Sequence, residues 1–212
     1  MIKFENVAVY NFMNAIRGMR NPFESWDKID SHYIINRFSQ EEFILGENDY
    51  KLAMKLSKAG SDHGKFLRQI LVSIDLTAPE YFFKEFDTYK VGTVANSTSM
   101  MHLLGNRKLT VDDFSFDEPD SSYVYDYLEL INEIRSHWID SGKKKPSHEW
   151  RLMNQLMAIS FLYTRTITLN YQVLKNMYHS RRNHKLQEWN DFCIWIETLP
   201  YSELITLKCE TN

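Results

Sequence analysis

The hydrophobic and polar positions of this 212-residue chain follow a strand period in some segments and a helical period in others. Residues 2 to 10 alternate imperfectly between apolar and polar side chains, which predicts a first strand. Residues 66 to 76 alternate more regularly, so we expect a half-buried strand that ends before Pro79. Short β-branched alternation from residue 163 predicts a third strand late in the chain.

Helical spacing of apolar residues predicts the other elements. A short helix is expected over about residues 12 to 19, and another begins near residue 50 and is closed by Gly60 at a C-cap position. The strongest helical pattern covers residues 123 to 139. Further helices are predicted from 147 to about 162, from about 170 to 181, and from 189 to 199, where Pro200 follows. Residues 17 to 31 and 108 to 120 are expected to be an ordered loop and a surface excursion.

The stretch from residue 79 to residue 102 is the first candidate for chemistry. It begins as an aromatic amphipathic helix and breaks at Val91-Gly92-Thr93 into a loop rich in Ser, Thr and Asn. A phosphate site needs an arginine fork, small hydroxyl groups and free backbone N–H groups at a junction of loop and helix. Thr98 and Ser99 supply the hydroxyl groups.

A second candidate stretch covers residues 163 to 189. It contains the densest positive charge in the chain, at Arg181, Arg182, His184 and Lys185. The amide side chains of nearby residues 172 and 176 can hydrogen-bond the edge of a base. Two interpretations stay open: the two stretches meet in one phosphate site, or they are a polar loop and a basic helix end that are separately solvated.

Three smaller features each allow two interpretations. Arg17 and Arg20 with Trp26 can clamp an anion and stack a ring, or form a surface cation–π pair. His63, in a polar turn, is a ligand-binding residue or merely solvated. The lysines at 143 to 145 are a solvated hinge or a nucleic-acid patch, and the hinge is favoured because three lysines without aromatic residues make a small footprint.

Composition narrows the function classes. The hydrophobic fraction is 43%, the aromatic fraction is 14% and the net charge is −3, which predicts a folded protein without general nucleic-acid or membrane binding. We find no signal pattern and no long apolar run, and the two cysteines make neither a disulfide framework nor a metal motif, so a cytoplasmic protein is expected. Glycine-rich phosphate loops and the common hydrolase and zinc motifs are absent from the sequence, so no metal is expected.

The two candidate stretches together resemble the flavin-dependent thymidylate synthase (ThyX) family. That family has an Arg-His-Arg triplet, a short loop and an N-x-x-S-x-R-Y segment, and this chain has Thr88-Tyr89-Lys90, a short loop and the segment from Asn96 through Ser99 to His102. The family pattern T-x-N-x-R-x-L-x-N-F-x-x-x-R is similar to the segment from Thr168 to Arg181. The turn that contains His63 lies where the family has a Gly-His-x-Ser/Thr element.

The resemblance is strongest over residues 45 to 200, and it implies an α+β fold with a mixed or antiparallel sheet flanked by helices, as one domain over 1 to 212. It also implies a homotetramer whose active sites form between subunits. In the family, FAD relays a hydride from NADPH, and a methylene group from methylene-tetrahydrofolate is placed on C5 of dUMP. The residues carried over as nucleotide-binding are Thr98, Ser99, Arg181 and Arg182. Those carried over as cofactor-binding are His63, Tyr89, Lys90, Asn96, Asn170, Gln172 and Asn176.

The chain departs from the family within the signature itself. Thr88-Tyr89-Lys90 replaces the Arg-His-Arg triplet, Met101-His102 replaces Arg-Tyr, and Gln172 replaces a helix arginine. Each charge-assisted contact with an anion is worth about 1.5–3 kcal/mol, so these are not conservative replacements. Three functions therefore stand side by side: a divergent synthase acting on dUMP, a non-catalytic nucleotide-binding protein that senses or sequesters a nucleotide signal, and a structural oligomer without a ligand.

Overall fold

The computed structural model describes residues 2–89 and 91–208. Its strands are β1 (Lys3–Tyr10), β2 (His32–Ile35), β3 (Glu41–Ile44), β4 (Leu71–Pro79), β5 (Val94–Ser97) and β6 (Leu162–Asn170). Its α-helices are α1 (Phe12–Arg20), α2 (Glu47–Lys58), α3 (Glu80–Phe86), α4 (Met100–Asn106), α5 (Ser122–Asp140), α6 (His148–Leu156), α7 (Tyr171–Arg181), α8 (Gln187–Glu197) and α9 (Glu203–Thr206). The predicted α+β fold class is confirmed.

Two sheets form within the described part of the chain. The larger has the strand order β1-β4-β6-β5, and the smaller is the antiparallel pair β2 and β3, in which Tyr33 faces Phe43. In β4 the residues Val72, Ile74 and Leu76 are buried and alternate with more accessible positions, because side chains of a strand point to opposite faces in turn. Helices accompany these strands along the chain.

The described residues divide into two compact units. The first contains residues in Met1–Lys3, Leu76–Thr88 and Asn96–Arg165, and the second contains residues in Phe4–Asp75, Tyr89–Ala95 and Thr166–Asn212. The expected single domain over 1 to 212 stays a prediction.

The first unit is built around the long helix α5. Ile131, Ile134 and Trp138 recur on one face of α5 and are buried together with Met153 of α6. Leu109 and Phe114 belong to the same core, so the predicted surface excursion over 108 to 120 is wrong for these two residues. The Ser115 N–H donates to the Ser160 carbonyl and the Glu80 N–H donates to the Phe161 carbonyl. These backbone hydrogen bonds hold this region in place.

The second unit is built around α7. Tyr171, Leu174, Met177 and Tyr178 are buried, and the neighbouring helices α8 and α9 contribute Phe192, Ile196, Leu204 and Ile205 to the core. Asn170 caps the start of α7, because its Oδ1 accepts the Val173 N–H at 3.0 Å. The cap sets the residue at which α7 begins, and so it sets where the polar residues of α7 lie along the helix.

Several boundaries differ from the sequence prediction, and the helix expected from 147 to about 162 already ends at Leu156. Residues expected to begin a strand at 66 form the 3₁₀ helix Gly64–Gln69, so β4 starts only at Leu71. The expected loop from residue 17 is helical as far as Arg20 and then makes two short 3₁₀ turns, Asn21–Phe23 and Trp26–Lys28. Strands β2 and β3 were not predicted, because their side chains show no alternation of burial.

Candidate functional site

Thr98 and Ser99 lie in the first unit, where they line a cavity of about 500 Å³ that we call the hydroxyl pocket. Thr98 is tied to β6, since its N–H donates to the Thr164 carbonyl at 2.9 Å and its Oγ1 accepts the Thr164 N–H at 3.2 Å. Ser99 is the N-cap residue of α4, but its hydroxyl makes no capping bond and has no partner among the described residues. That hydroxyl is therefore available to a ligand.

The other polar residues of the hydroxyl pocket were not found from the sequence. Its lining also includes Lys3, Thr77, His102, Asp112, Asp113 and Thr164. The hydroxyl groups of Thr77 and Thr164 are 2.7 Å apart, so they form one hydrogen-bonded pair from neighbouring strands. Nothing in the local sequence indicates this pair, because its members are 87 residues apart in the chain.

The carboxylate of Asp113 is already neutralised. Burial works to raise the pKa of Asp113, but the hydrogen bonds from Arg107, at 2.7 and 2.5 Å, hold that pKa below its ordinary value. The N–H of Thr110 donates to the same carboxylate at 2.8 Å, so the charge is matched by local donors. Asp113 therefore adds little negative charge to the pocket, whose other charged lining residues are Lys3 and Asp112.

Arg181 lies in the second unit, at the end of α7, in a cluster with Tyr89 and Trp189 that we call the arginine cluster. The Nε group of Arg181 donates to the Tyr89 hydroxyl at 3.1 Å. Its guanidinium carbon is 5.0 Å from the Trp189 ring centroid and 5.7 Å from that of Tyr89, both within cation–π range. Trp189 is fully buried, so the guanidinium is held against a rigid surface.

The loop after Tyr89 lies against the start of α7. Gly92 has φ +84°, and a Cβ atom at this position would be 2.7 Å from Nδ2 of Asn170. The other end of that amide, Oδ1, caps the helix. The oxygen end of the Asn170 amide therefore has a structural role, and its nitrogen end leaves room only for glycine at position 92.

Gln172 and Asn176 form an amide pair one turn apart on α7. The Nε2 group of Gln172 donates to Oδ1 of Asn176 at 2.9 Å. Gln172 is only 7% exposed, and its Oε1 atom is buried without a hydrogen-bond partner among the described residues. A Cβ atom at Gly64, next to His63, would be 3.5 Å from this oxygen. A buried acceptor without a donor is costly, so this oxygen is a site where a water molecule or a ligand can donate a hydrogen bond.

Arg182 and Asn96 have other surroundings. Arg182 follows Arg181 directly, and together with Glu197 and Lys208 it lines a cavity of about 380 Å³ that Arg181 does not line. Asn96 is exposed on β5 in the first unit. Lys90 lies outside the described residues. Among the predicted residues, the structure brings Tyr89 to Arg181 and Gln172 to Asn176, and the pairing of Ser99 with Arg181 stays a prediction.

Solved structures show which fold this is. ThyX from Helicobacter pylori, in a crystal structure with FAD and dUMP, superposes with a TM-score of 0.69 at 12% identity, covering 98% of this chain and 96% of that one. A second crystal structure of the same enzyme, complexed with FAD and dUMP, gives the same score and identity with 97% of that chain covered. The protein has a ThyX-like fold.

A different enzyme shares this ThyX-like fold. The UMP/dUMP methylase PolB from Streptomyces cacaoi, bound with 5-Br dUMP, has a TM-score of 0.65 at 14% identity and covers 98% of this chain and 95% of that one. No protein-family model matches the chain, and a search of curated proteins also gives no match. The likeness to ThyX is therefore one of fold.

Within residues 2–89 and 91–208, no group of three or more His, Cys, Asp or Glu side chains is arranged to hold a metal ion. No helix in the same described ranges is long and apolar enough to cross a membrane.

Proposed function

We propose that the protein binds a pyrimidine nucleoside monophosphate of the UMP and dUMP class, with Arg181 as the principal phosphate contact. The observation that carries the proposal is the arginine cluster, in which two aromatic rings and one hydrogen bond fix a guanidinium at the end of α7. Proteins that share the fold are described with dUMP or 5-Br dUMP bound. A fixed guanidinium loses little side-chain entropy on binding a phosphate, which favours affinity.

We propose Thr98 and Ser99 as further nucleotide contacts. The hydroxyl of Ser99 lacks a partner among the described residues, so it can donate to a phosphate or base oxygen without breaking an existing bond. The resemblance to ThyX implies sites shared between subunits, so these hydroxyl groups and Arg181 need not come from the same copy. Arg182 is a weaker candidate because it lines a different cavity.

Isothermal titration calorimetry with dUMP, UMP and deoxyuridine tests the nucleotide proposal. Both monophosphates should bind, and deoxyuridine should bind about 10- to 100-fold more weakly, since it lacks the phosphate that Arg181 would contact. At about 100 times the dissociation constant, dUMP should also stabilise the fold by about 2.7 kcal/mol in a thermal melt. If neither dUMP nor UMP binds at millimolar concentration, the proposal is contradicted.

A flavin is the second ligand that we propose, and the buried oxygen of Gln172 is the observation in its favour. This acceptor needs a donor, and the ring N–H of a flavin is of the right chemical type. Gln172 and Asn176 would contact the ring system, and His63, Tyr89 and Asn170 are the further residues that we assign to its surroundings. When bound, a flavin would supply the hydride chemistry of a synthase acting on dUMP, with NADPH and methylene-tetrahydrofolate as the other reactants.

Retention of added FAD through gel filtration, followed by its visible absorbance, tests the flavin proposal. The native protein should retain FAD, and the Gln172→Leu variant should lose most of it because the amide contacts are removed. The matched control is Gln155→Leu, an exposed glutamine of α6 in the other unit, which should behave as the native protein. A native protein that binds dUMP but retains no FAD would overturn the flavin proposal and support the non-catalytic nucleotide-binding function instead.

A further inference from the structure

A basic cavity lies in the second unit, away from α7 in sequence and with no residue in common with the site above. Its volume is about 660 Å³, within the range of about 300–1,000 Å³ that small-molecule sites occupy. The lining residues are Arg20, Phe23, Ser25, Lys28, Asn48, Leu52 and Lys55. Three of them carry a positive charge and none carries a carboxylate.

Arg20 is the buried member of this set, with an exposed fraction of 4%. Its Nε group donates to Oδ1 of Asp49 at 2.6 Å, and Asp49 is fully buried. The second oxygen of Asp49 accepts three more hydrogen bonds, from the Asp30 N–H, the Ser31 N–H and the Ser31 hydroxyl, at 3.1, 2.9 and 2.7 Å. The Asp49 carboxylate is therefore well hydrogen-bonded, and it holds the Nε side of the Arg20 guanidinium in place.

The remaining nitrogen atoms of Arg20 are less engaged. The Nη1 group approaches the Ser25 hydroxyl at 3.4 Å, which is a long hydrogen bond, and Nη2 has no partner in the part of the chain that the structure describes. A guanidinium normally uses more of its five donors when it is buried. Arg20 thus presents a cation to the cavity that is fixed in position and incompletely satisfied.

Lys28 and Lys55 reach the same cavity from the second 3₁₀ turn and from α2. Both are exposed, and neither forms an ion pair with another described residue. Because Asp49 is the counter-ion of Arg20, the ammonium groups of Lys28 and Lys55 are the unbalanced charge at this cavity, and a bound anion would offset their repulsion. Ser25 and Asn48 add neutral side chains that can also hydrogen-bond an oxyanion.

We propose that this basic cavity is a second binding site, distinct from the site at Arg181, for a phosphorylated small molecule. The phosphate would contact the Nη groups of Arg20 and the ammonium groups of Lys28 and Lys55. The exposed ring of Phe23 and the side chain of Leu52 form an apolar wall for the rest of the molecule. Of the two arginines that the sequence suggested as an anion clamp with Trp26, Arg20 would act here beside Phe23, because neither Arg17 nor Trp26 is among the residues that line the cavity.

The test is calorimetric titration with inorganic pyrophosphate. The native protein should bind it, and the Lys28→Gln/Lys55→Gln double variant should bind it about 10- to 100-fold more weakly because two charge-assisted contacts are lost. The matched control is Lys51→Gln on the same helix α2, an exposed lysine paired with Glu47, which should change the affinity less than about twofold. All of these lysines are exposed, so the variants should fold, and a thermal melt verifies that.

Two outcomes would overturn the inference: no binding of pyrophosphate by the native protein at millimolar concentration, or equal binding by the double variant. Titration of pyrophosphate in the presence of saturating dUMP separates this site from the proposed nucleotide site, because dUMP would occupy Arg181 and leave the basic cavity open. If saturating dUMP abolishes pyrophosphate binding, the anion binds at the nucleotide site, and the inference is overturned.

Discussion

The Arg181→Ala variant is expected to bind dUMP about 10- to 100-fold more weakly than the native protein. A hydrogen bond to a charged group is worth about 1.5–3 kcal/mol, and each 1.4 kcal/mol changes a dissociation constant about tenfold. Arg181 is the cation that the rings of Tyr89 and Trp189 hold in place, so its loss cannot be replaced by a neighbouring side chain in the same geometry. Calorimetric titration of both proteins with dUMP measures the change.

Two controls make this result specific. Arg182→Ala removes the same charge one residue later, from a side chain that lines another cavity, and should weaken binding much less. Tyr89→Phe removes only the hydroxyl that accepts from Nε of Arg181, and should give an intermediate loss because the guanidinium is less well fixed. If Arg181→Ala keeps native affinity while its thermal melt is unchanged, Arg181 is not the phosphate contact.

The Asp49→Ala variant is expected to lower the free energy of unfolding by about 3–5 kcal/mol, a large part of the stability of a typical domain. Asp49 is completely buried, and its removal leaves the Arg20 guanidinium without its counter-ion. The N–H groups of Asp30 and Ser31 also lose their acceptor. Urea denaturation, with the midpoint and the slope both fitted, measures the loss.

Two further variants separate the causes of this effect. Asp49→Asn keeps acceptor capacity but removes the charge, so it should destabilise the protein less than Asp49→Ala does. Asp62→Ala removes an exposed aspartate from the turn at His63, and should change the free energy of unfolding by less than about 0.5 kcal/mol. A loss below about 1 kcal/mol for Asp49→Ala would show that the buried ion pair does not hold this part of the second unit together.

Long periodic segments were predictable from the sequence. The helix expected over 123 to 139 is Ser122–Asp140, and the helix expected over 189 to 199 is Gln187–Glu197. In both helices, apolar residues repeat at a helical period because one face packs into a core, and this spacing can be read directly from the sequence. The α+β fold was reached through the resemblance of two short motifs, and the structural likeness to ThyX agrees with it.

Segments whose conformation depends on distant contacts were not predictable. The strand was predicted to begin at Phe66 because residues 70 to 76 alternate, yet residues Gly64–Gln69 form a 3₁₀ helix in which the adjacent Phe66 and Leu67 are both buried. Strands β2 and β3 are paired with each other and exposed along most of their length, so they carry no alternating pattern. Pairing between strands is a non-local interaction, and local composition does not specify it.

The sequence by itself determined which chemical groups are present: the arginine at 181, the amides at 170, 172 and 176, and the hydroxyl groups at 98 and 99. Only the tertiary structure decided what each group can do. In the structure the Asn170 amide caps α7, and Oε1 of Gln172 has no donor among the described residues. Tyr89 and Trp189 hold the Arg181 side chain in place. The physical reason is that hydrogen bonding and burial depend on partners that are far apart in the chain, such as Tyr89 and Arg181.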